Sequence, residues 1–381
     1  MSLKTMKQRG NHLGQSLGQT LWLLGVLGLG ACTVQGVPKS FRVGPEPTPA
    51  APTEEEPPGP IEPPSIGLTA SVSVTRSGQT ATFSATGGTA PYQFSVTAGA
   101  STIGSVTGVL TASARVETVR VRVTDANGFG QDASLLNLGA PALWLRPESL
   151  TLDGSRDQRT VVRWRDESGH DRHATNERTP PRFVKSGAGD LPAVEFDGEK
   201  QYLTLGANYV YAKNYGFSAF SVLRSFKDSA RPYFLMFGDA EGEHYGFAYD
   251  VDTVGIATPG AHGGANSCAD GKHGFGKAPV LYTGEIIFGA QQRVRINGDD
   301  GFFPAAAISL RQLTASEIAE AKSRAKHSGP VTLGMKSSLI GEDSDFSLYG
   351  EISEILLYDD LLLENERDLV ESYLNEKYSL Y

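Results

Sequence analysis

Cysteine is scarce in this sequence: its 381 residues include only Cys32 and Cys268. Two cysteines allow at most one disulfide, and none remains if one of them is modified. The fold must therefore be stabilised by buried apolar surface, which a core of this size supplies. The apolar segment Thr20–Ala31 is about twelve residues long, short of the ~20 that a membrane-spanning helix needs.

Positive charge is also in short supply. The chain has 34 Lys and Arg against 43 Asp and Glu, a net charge of −9. Residues 1–31 hold three basic residues and no acid, so the remainder carries 31 against 43, or −12. A surface this acidic repels phosphate backbones and anionic lipids, which excludes nucleic acid as an expected partner and membrane adhesion by charge alone. At this length, two domains and a linker are expected.

The N-terminus has the pattern of a signal peptide, residues 1–31. Lys4, Lys7 and Arg9 form a positive region, and the apolar segment Thr20–Ala31 follows it. The apolar segment has the length of a signal-peptide h-region. The sequence therefore predicts export.

Leu29-Gly30-Ala31-Cys32 resembles the lipobox read by the bacterial lipoprotein signal peptidase. The resemblance implies that Leu29, Gly30 and Ala31 are recognised and that Cys32 receives lipid after cleavage. Two or three acyl chains give stable anchoring. An ordinary secretory signal with a chance cysteine is the alternative. Thr33, rather than Asp, follows the cysteine, which favours the outer membrane in envelopes that use Asp there for inner-membrane retention.

A proline-rich tether follows at residues 32–65. Ten of the 21 prolines fall between Pro38 and Pro64. Proline fixes φ and removes a hydrogen-bond donor, so an extended tether is expected here rather than helix or sheet. The tether predicts a folded part held away from the membrane; a proline-rich ligand for a partner domain is the alternative.

Residues 66–139 have the alternating pattern of a small β-sandwich. Strands are predicted at Ser71–Val74, Thr80–Ala85, Tyr92–Val96 and Val116–Thr124, with glycine-rich turns between them. In the last of these strands, the valines at 119, 121 and 123 are predicted to face the core and the arginines at 120 and 122 to face water. The segments Gly87–Val96, Gly104–Ala112 and Val119–Gly130 resemble a bacterial Ig-like domain, which implies a stalk.

Residues 140–381 also read mostly as strands. They are predicted at Leu191–Phe196, Tyr202–Leu205, Phe217–Leu223, Tyr233–Phe237, Tyr245–Tyr249, Val280–Phe288, Arg293–Ile296, Val331–Leu333 and Ile352–Tyr358. Asn297-Gly298 predicts a hairpin turn. Helices are predicted at Thr314–Lys326 and at Glu364–Lys377. Many strands with few helices favour a large two-sheet sandwich.

Several segments of this domain together resemble the laminin-G-like, concanavalin A-like lectin/glucanase sandwich of bacterial surface proteins. They are Ala142–Arg146, Trp164–Gly169, His173–Thr175, Leu191–Gly198, Tyr202-Leu203 and Gly350–Asp359. The resemblance implies an all-β jelly-roll. The apolar stripe of Leu369, Val370, Tyr373 and Leu374 in Glu364–Lys377 predicts a C-terminal helix beside it. Gln201 stands where such sequences often carry an acid before the Tyr-Leu pair, so a metal role of that acid does not transfer.

No catalytic residue is predicted. Retaining glucanases of this fold need two carboxylates on one strand face, about 5–5.5 Å apart. The nearest run is Glu351-Ile352-Ser353-Glu354, and residues three apart on a regular strand point to opposite faces. Asp166, Ser168 and His173 suggest a catalytic trio but lie in the family motif, where we expect them to form a hydrogen-bonded turn. No G-x-S-x-G elbow is present.

Metal sites receive little support. Asp250 and Asp252 are candidates for calcium, as at the rim of some laminin-G modules. His262, Cys268 and His273 are zinc-ligand types in a glycine-rich loop, but their spacing matches no standard site. No cofactor is therefore expected, with calcium the open alternative.

Together these features predict a lipid-anchored protein of the bacterial cell envelope. Its Ig-like module would act as a stalk for a sandwich that binds a glycan or a surface protein in an adhesion-type role. Two alternatives stay open: a polysaccharide hydrolase of the glucanase type, and a purely structural envelope lipoprotein. Clustered carboxylates in a cleft would favour the enzyme, and exposed aromatic residues would favour sugar binding.

Overall fold

The structure is a computed structural model. It describes residues 65–153, 159–205, 216–226, 233–238, 244–249, 254–257, 277–287, 291–299, 331–335 and 347–381, together with residues 315, 316 and 319. These residues all belong to one compact unit, residues 62–381. The signal-peptide and lipidation residues lie outside this description, as does nearly all of the predicted helix Thr314–Lys326.

The first part of the unit is a small two-sheet sandwich. Its strands are β1 Gly67–Ala70, β2 Val74–Thr75, β3 Thr80–Thr86, β4 Gln93–Ala98, β5 Thr102–Ile103, β6 Val109–Thr111, β7 Val116–Thr124 and β8 Gly130–Leu138. One sheet has the order β1-β3-β6-β5 and the other β2-β8-β7-β4. Only the β2–β8 pair is parallel, so the sandwich is built almost wholly from antiparallel neighbours.

The alternation in β7 confirms the predicted inward and outward faces of this sandwich. Its three alternate valines from Val119 to Val123 are fully buried, whereas Arg120 and Arg122 are exposed. The valines pack with Phe83, Leu110 and other residues of both sheets. The predicted strand Ser71–Val74 is wrong in its position, because β1 ends at Ala70 and β2 begins at Val74.

The second part is a large curled sheet. Its strands are β9 Leu143–Leu152, β10 Val161–Asp166, β11 Ala174–Thr175, β12 Arg182–Val184, β13 Ala193–Asp197, β14 Leu203–Thr204, β15 Gly216–Ser225, β16 Tyr233–Gly238, β17 His244–Tyr249, β18 Val254–Ala257, β19 Val280–Ile287, β20 Gln291–Ile296, β21 Val331–Leu333 and β22 Tyr349–Tyr358. The order is β18-β17-β16-β21-β14-β11-β10-β9-β22-β15-β19-β20, and the β12–β13 pair joins at β22. All the registered pairs in this sheet are antiparallel.

The sheet curls over its own apolar core. Strands from both ends of the order contribute to one cluster, including Phe247 from β17, Trp164 from β10 and Tyr282 from β19. Phe247 meets Tyr282 edge-on, with ring centroids 5.8 Å apart. Rings at this distance and angle gain from their quadrupoles as well as from burial. The curl thus makes a two-layer sandwich from one continuous sheet.

A helix, α1 (Glu364–Tyr378), covers the outer face of the β22–β15–β19 region. The Glu366 carboxylate accepts the Leu363 backbone N–H at 3.0 Å, which satisfies a donor just before the first turn. Val370 and Leu374 are fully buried on the inner face, as predicted from the apolar stripe. A residue in the left-handed conformation, Ser379 (φ 52°), ends the helix.

The two sandwiches share an apolar cluster. Val116 and Leu138 of the small sandwich pack in the same cluster as Phe220, Leu356 and the inner face of α1. The Tyr358 hydroxyl, buried beneath this contact, donates to the Leu138 carbonyl at 3.0 Å. The predicted boundary near residue 140 therefore runs through a packed interface and not through a solvated linker.

The predicted fold class is confirmed: the chain is mostly β, with a small sandwich, a large curled sandwich and a C-terminal helix. The turn predicted at Asn297-Gly298 is also confirmed, because both residues have positive φ and Ile296 pairs with Asp299. Positive φ at both central positions is the requirement that this dipeptide meets.

Candidate functional site

An irregularity in β9 places charged side chains at the junction of the two sandwiches. β9 pairs with β10 at Leu150↔Trp164 and Leu145↔Asp166, so β9 advances five residues while β10 advances two. The extra segment contains Pro147, which has no N–H for the ladder. Arg146 and Glu148 in this segment both line a groove between the small sandwich and α1.

This groove, called here the junction groove, has a volume of about 880 Å³. Its lining comes from the small sandwich (Ser71–Val74, Thr118, Ser134–Leu136), from β9 (Arg146, Glu148) and from α1 (Leu369, Ser372, Tyr373, Glu376, Lys377). Ligand sites in proteins are concavities of ~300–1,000 Å³ and often lie between domains. The lining alternates apolar side chains with hydroxyl groups.

The charges in the junction groove balance one another. Arg146 Nε lies 3.0 Å from Glu148 Oε2, and Lys377 Nζ lies 3.1 Å from Glu148 Oε1. Burial acts to raise the pKa of Glu148, but the positive charges of Lys377 and Arg146 outweigh it, so this pKa is lowered. With Glu376, the groove carries two cationic and two anionic side chains, so it holds no net charge with which to attract an ion.

A buried carboxylate fixes the α1 wall of the groove. Glu354, fully buried, accepts hydrogen bonds from the Trp144 indole (2.7 Å) and the Tyr373 hydroxyl (3.0 Å) at Oε1. Its Oε2 accepts from Lys377 Nζ (2.7 Å) and the Tyr378 hydroxyl (2.8 Å). Burial first, and then the Glu354 charge, raise the pKa values of both tyrosines. The Tyr373 ring is thus held in place at the groove wall, half-buried.

The sequence argument that Glu351 and Glu354 point to opposite faces is wrong. β22 pairs with β15 at Glu351↔Arg224, Ile352↔Leu223 and Glu354↔Val222, so Ser353 is an extra residue in a β-bulge. A bulge shifts the alternation by one, which places both carboxylates on the face that α1 covers. Pattern alone could not show this, because a bulge depends on the partner strand.

Neither carboxylate is open to a substrate. Glu351 is 3% exposed and binds Arg224 through two hydrogen bonds, Nε to Oε2 at 2.7 Å and Nη2 to Oε1 at 2.9 Å. Glu354 uses both oxygens on the four donors described above. Both carboxylates are buried and paired, Glu354 beneath α1 and Glu351 with Arg224 of β15. The arrangement lacks the solvent-facing acid that glycoside cleavage needs.

The Asp166, Ser168 and His173 group forms a turn, as expected. Asp166 accepts the backbone N–H groups of Trp144 (3.0 Å) and Ser168 (2.9 Å) at Oδ1. Ser168 Oγ donates to Asp166 Oδ2 at 2.7 Å, and His173 Nδ1 accepts the Asp166 backbone N–H at 2.9 Å. In a catalytic triad the histidine stands between serine and carboxylate. Here the serine contacts the carboxylate directly.

The remaining predicted site residues lie outside the described residues. They are Leu29, Gly30, Ala31 and Cys32 at the N-terminus, the calcium candidates Asp250 and Asp252, and the loop residues His262, Cys268 and His273. In the part of the chain that is described, no three His, Cys, Asp or Glu side chains gather as a metal site. No helix of that part combines the length and apolar content required to cross a membrane.

Sequence reasoning missed the junction groove. Its walls come from five segments of the small sandwich, β9 and α1, and each contributes side chains of ordinary type. The one local signal is Pro147, since a proline inside a run of strand-forming residues indicates a bulge.

No family model and no curated protein matches the chain. Among solved structures, a Trypanosoma rangeli sialidase aligns with 62% of this chain and 33% of its own, at 13% identity and a TM-score of 0.37. The chain therefore spans about a third of that protein. The binding domain of Paraclostridial Mosquitocidal Protein 1 aligns over 60% of this chain and 52% of its own (12% identity, TM-score 0.39).

A Ruminococcus gnavus sialidase CBM40 domain, bound to α2,3-sialyllactose, aligns over 47% of this chain and 95% of its own, at 13% identity and a TM-score of 0.31. These TM-scores are all below 0.5, so the fold described above rests on the strand pairing and the core of this chain.

Proposed function

We propose that this protein is a lipid-anchored component of the bacterial cell envelope that binds a neutral carbohydrate in the junction groove. The anchoring part rests on the signal-peptide pattern and on the lipobox resemblance that ends at Cys32. The binding part rests on the groove. In this proposal the small sandwich, whose sequence resembles an Ig-like domain, serves both as a stalk and as one wall of the binding site.

The composition of the junction groove is the observation that carries this proposal. A sugar ring presents C–H faces and a rim of hydroxyl groups. The groove offers apolar surface from Val72, Leu369 and the Tyr373 ring, and hydroxyl groups from side chains such as Ser73 and Ser372. The balanced charge favours a neutral sugar over an ionic one. Rigid walls reduce the entropic cost of binding, and Glu354 holds one of them.

A soluble form that begins at Thr33 would test the proposal on a glycan array, with calorimetry on each hit. We expect a neutral oligosaccharide to bind and Tyr373→Ala to weaken it about tenfold, since aromatic anchors carry much of the energy of such contacts. Val72→Glu, on the small-sandwich wall where Val72 is 41% exposed, should weaken binding too.

Tyr381→Ala is the matched control, because Tyr381 is an exposed aromatic residue outside the groove. It should leave the affinity unchanged. Absence of binding to every glycan on the array would overturn the carbohydrate proposal and favour the purely structural alternative. Binding that survives both groove substitutions would place the site elsewhere on the sandwich.

A further inference from the structure

A second concavity lies on the large sandwich and shares no lining residue with the junction groove. It has a volume of about 730 Å³ and is formed around β10 and β11. Val162, Arg163 and Thr175 come from these two strands, and His173, Asp171 and Glu177 come from the segments beside β11. This concavity is called here the β10 pocket.

A bulge aims two successive β10 residues at the β10 pocket. β10 pairs with β9 at Val161↔Leu152 and Arg163↔Thr151, so Val162 is an extra residue. Val161 is fully buried in the core, while Val162 and Arg163 both line the pocket. A regular strand would have turned one of them inward. Bulges recur beside functional sites because they re-aim side chains in this way.

A backbone hydrogen bond to His173 determines which nitrogen of its ring can donate a hydrogen bond to a ligand in the pocket. Nδ1 accepts the Asp166 backbone N–H at 2.9 Å, so in the neutral ring the hydrogen is on Nε2. Nε2 is therefore a donor, which cannot bind a metal ion while the Nδ1 contact persists. It lies 3.8 Å from Asp171 Oδ1, and the side chain is 16% exposed. The ring is thus a fixed hydrogen-bond donor at the pocket wall.

The other polar side chains complete a mixed set of donors and acceptors. Arg163 brings a guanidinium, and Asp153, Asp171 and Glu177 bring carboxylates. Arg163, Asp171 and Glu177 are exposed, and Asp153 is half-buried. Among the described residues, neither Arg163 nor Glu177 has an ion-pair partner. Val162 and Pro180 add a small apolar surface. Fixed donors beside acceptors, over an apolar floor, match a ring of vicinal hydroxyl groups better than a bare ion.

We infer that the β10 pocket binds a single pyranose ring of a glycan, with Arg163 and His173 Nε2 donating to sugar hydroxyls and Glu177 accepting from them. This site is separate from the junction groove and holds whether or not the groove binds carbohydrate. With both sites, one molecule would bind two positions on a polysaccharide, which raises its avidity.

The imidazole resonances of His173 provide the test, because they report on this pocket alone. The soluble chain that begins at Thr33 would be labelled with ¹⁵N-histidine, and His173 would be identified among the six histidines of that chain by the signal lost in His173→Gln. Methyl pyranosides of glucose, galactose, mannose and N-acetylglucosamine would be titrated at millimolar concentrations. We expect at least one to shift the Nε2–H signal with saturation.

Matched variants separate this site from its surroundings. Arg163→Ala and Glu177→Gln should each weaken the sugar-dependent shift about tenfold. Arg165→Ala, an exposed arginine two residues along the same strand that pairs with Glu167, should leave it unchanged. Tyr373→Ala should also leave it unchanged, so failure of the groove and failure of this pocket are distinguishable.

Three outcomes would overturn the inference. The first is that no pyranoside shifts the His173 signals. The second is a shift that survives both Arg163→Ala and Glu177→Gln. The third is a shift of the Nε2 signal on addition of Zn²⁺ that removes its proton, which would make the pocket a metal site.

Discussion

The Trp144 indole donates a hydrogen bond to the Glu354 carboxylate at 2.7 Å, although 210 residues separate them. Trp144 lies in the first strand of the large sandwich, β9, and Glu354 lies in the last, β22. The same carboxylate binds three side chains of α1. One buried acid therefore connects the two ends of the domain and the helix that forms the groove wall.

Glu354→Gln should lower the free energy of unfolding by about 3 kcal/mol, because a buried charge network loses its anion and an amide N–H then faces hydrogen-bond donors. Urea unfolding followed by tryptophan fluorescence would measure the change. Glu199→Gln, at an exposed position, is the control and should change stability by less than ~0.5 kcal/mol. Equal stabilities of the two variants would show that the network contributes little.

The regular parts of this fold could be predicted from the sequence, since alternation decides them. Val119 to Val123 in β7 and the inner face of α1 lie where their patterns place them, and β19 forms where its strand was predicted. The sites could not be predicted, because each depends on a bulge. Ser353 in β22, Val162 in β10 and the segment around Pro147 in β9 shift the alternation. A bulge is defined by the register between two paired strands, and the sequence of one strand does not reveal its partner or their register.

Leu138→Ala tests the packing between the two sandwiches. Leu138 is fully buried in the shared cluster, so we expect a loss of about 2–4 kcal/mol. Because both sandwiches bury apolar surface in that cluster, we expect one cooperative transition for wild type and variant in calorimetry. Two separate transitions in the wild type would contradict a common unit.

Limited proteolysis provides a second test of the packing between the two sandwiches, because it measures how accessible the backbone is to a protease. The first cuts should fall between Val37 and Ser65, leaving a product that begins near Ile66 and retains both sandwiches. Backbone paired in sheets and buried against a neighbour resists cleavage. Early cleavage near residue 140, with release of the small sandwich, would show instead that the two domains behave independently.

Glu285 should make stability fall as pH rises. It is 1% exposed, and burial raises its pKa above 4.5 despite Arg367 and Arg293 at 3.6 and 3.7 Å. A raised folded-state pKa means that the folded state holds the proton more tightly than the unfolded chain does. The contribution is therefore full below pH 4.5 and is lost as pH rises through the folded-state pKa. Glu371, also buried with a raised pKa, acts in the same direction.

The measurement is the stability of wild type minus that of Glu285→Gln, from urea unfolding between about pH 4 and 7. This difference should decrease with pH. Glu117→Gln is a control of opposite sign: burial acts to raise the Glu117 pKa, but hydrogen bonds from Ala100, Ser101 and Ser113 outweigh it and lower it. That contribution is present above the unfolded-state pKa and is lost as pH falls. The same slope for both variants would refute the Glu285 assignment.

Cys32→Ser should release the protein from membranes. The thiol is the proposed acceptor of the diacylglyceryl group, and without lipid the tether has no apolar surface long enough to hold it. Growth with radiolabelled palmitate followed by detergent partitioning would measure both label and location. Cys268→Ser is the matched control and should leave labelling intact. A wild-type protein that takes up no palmitate label would contradict the lipoprotein prediction.

The purified soluble chain should hydrolyse no polysaccharide. The bulge at Ser353 does place Glu351 and Glu354 on one face, so the reason is not alternation. The reason is that both carboxylates are buried and already bound. Arg224 binds Glu351, and four donors bind Glu354. A general acid must reach the glycosidic oxygen, and a nucleophile must reach the anomeric carbon. Glu354 could do so only if α1 unfolded, and Glu351 only if its ion pair with Arg224 broke.

Reducing-sugar release from β-glucans, carrageenans, agars and alginates would check this expectation, with circular dichroism to verify that each variant is folded. Turnover that disappears in both Glu351→Gln and Glu354→Gln would refute the argument from burial and pairing and revive the glucanase alternative. Turnover that survives both would assign the chemistry to acids elsewhere in the chain. Binding without turnover is the expected result, since the junction groove offers an aromatic wall and hydroxyl groups. Glu354, which lies behind the Tyr373 ring and outside the groove lining, is already paired with Lys377.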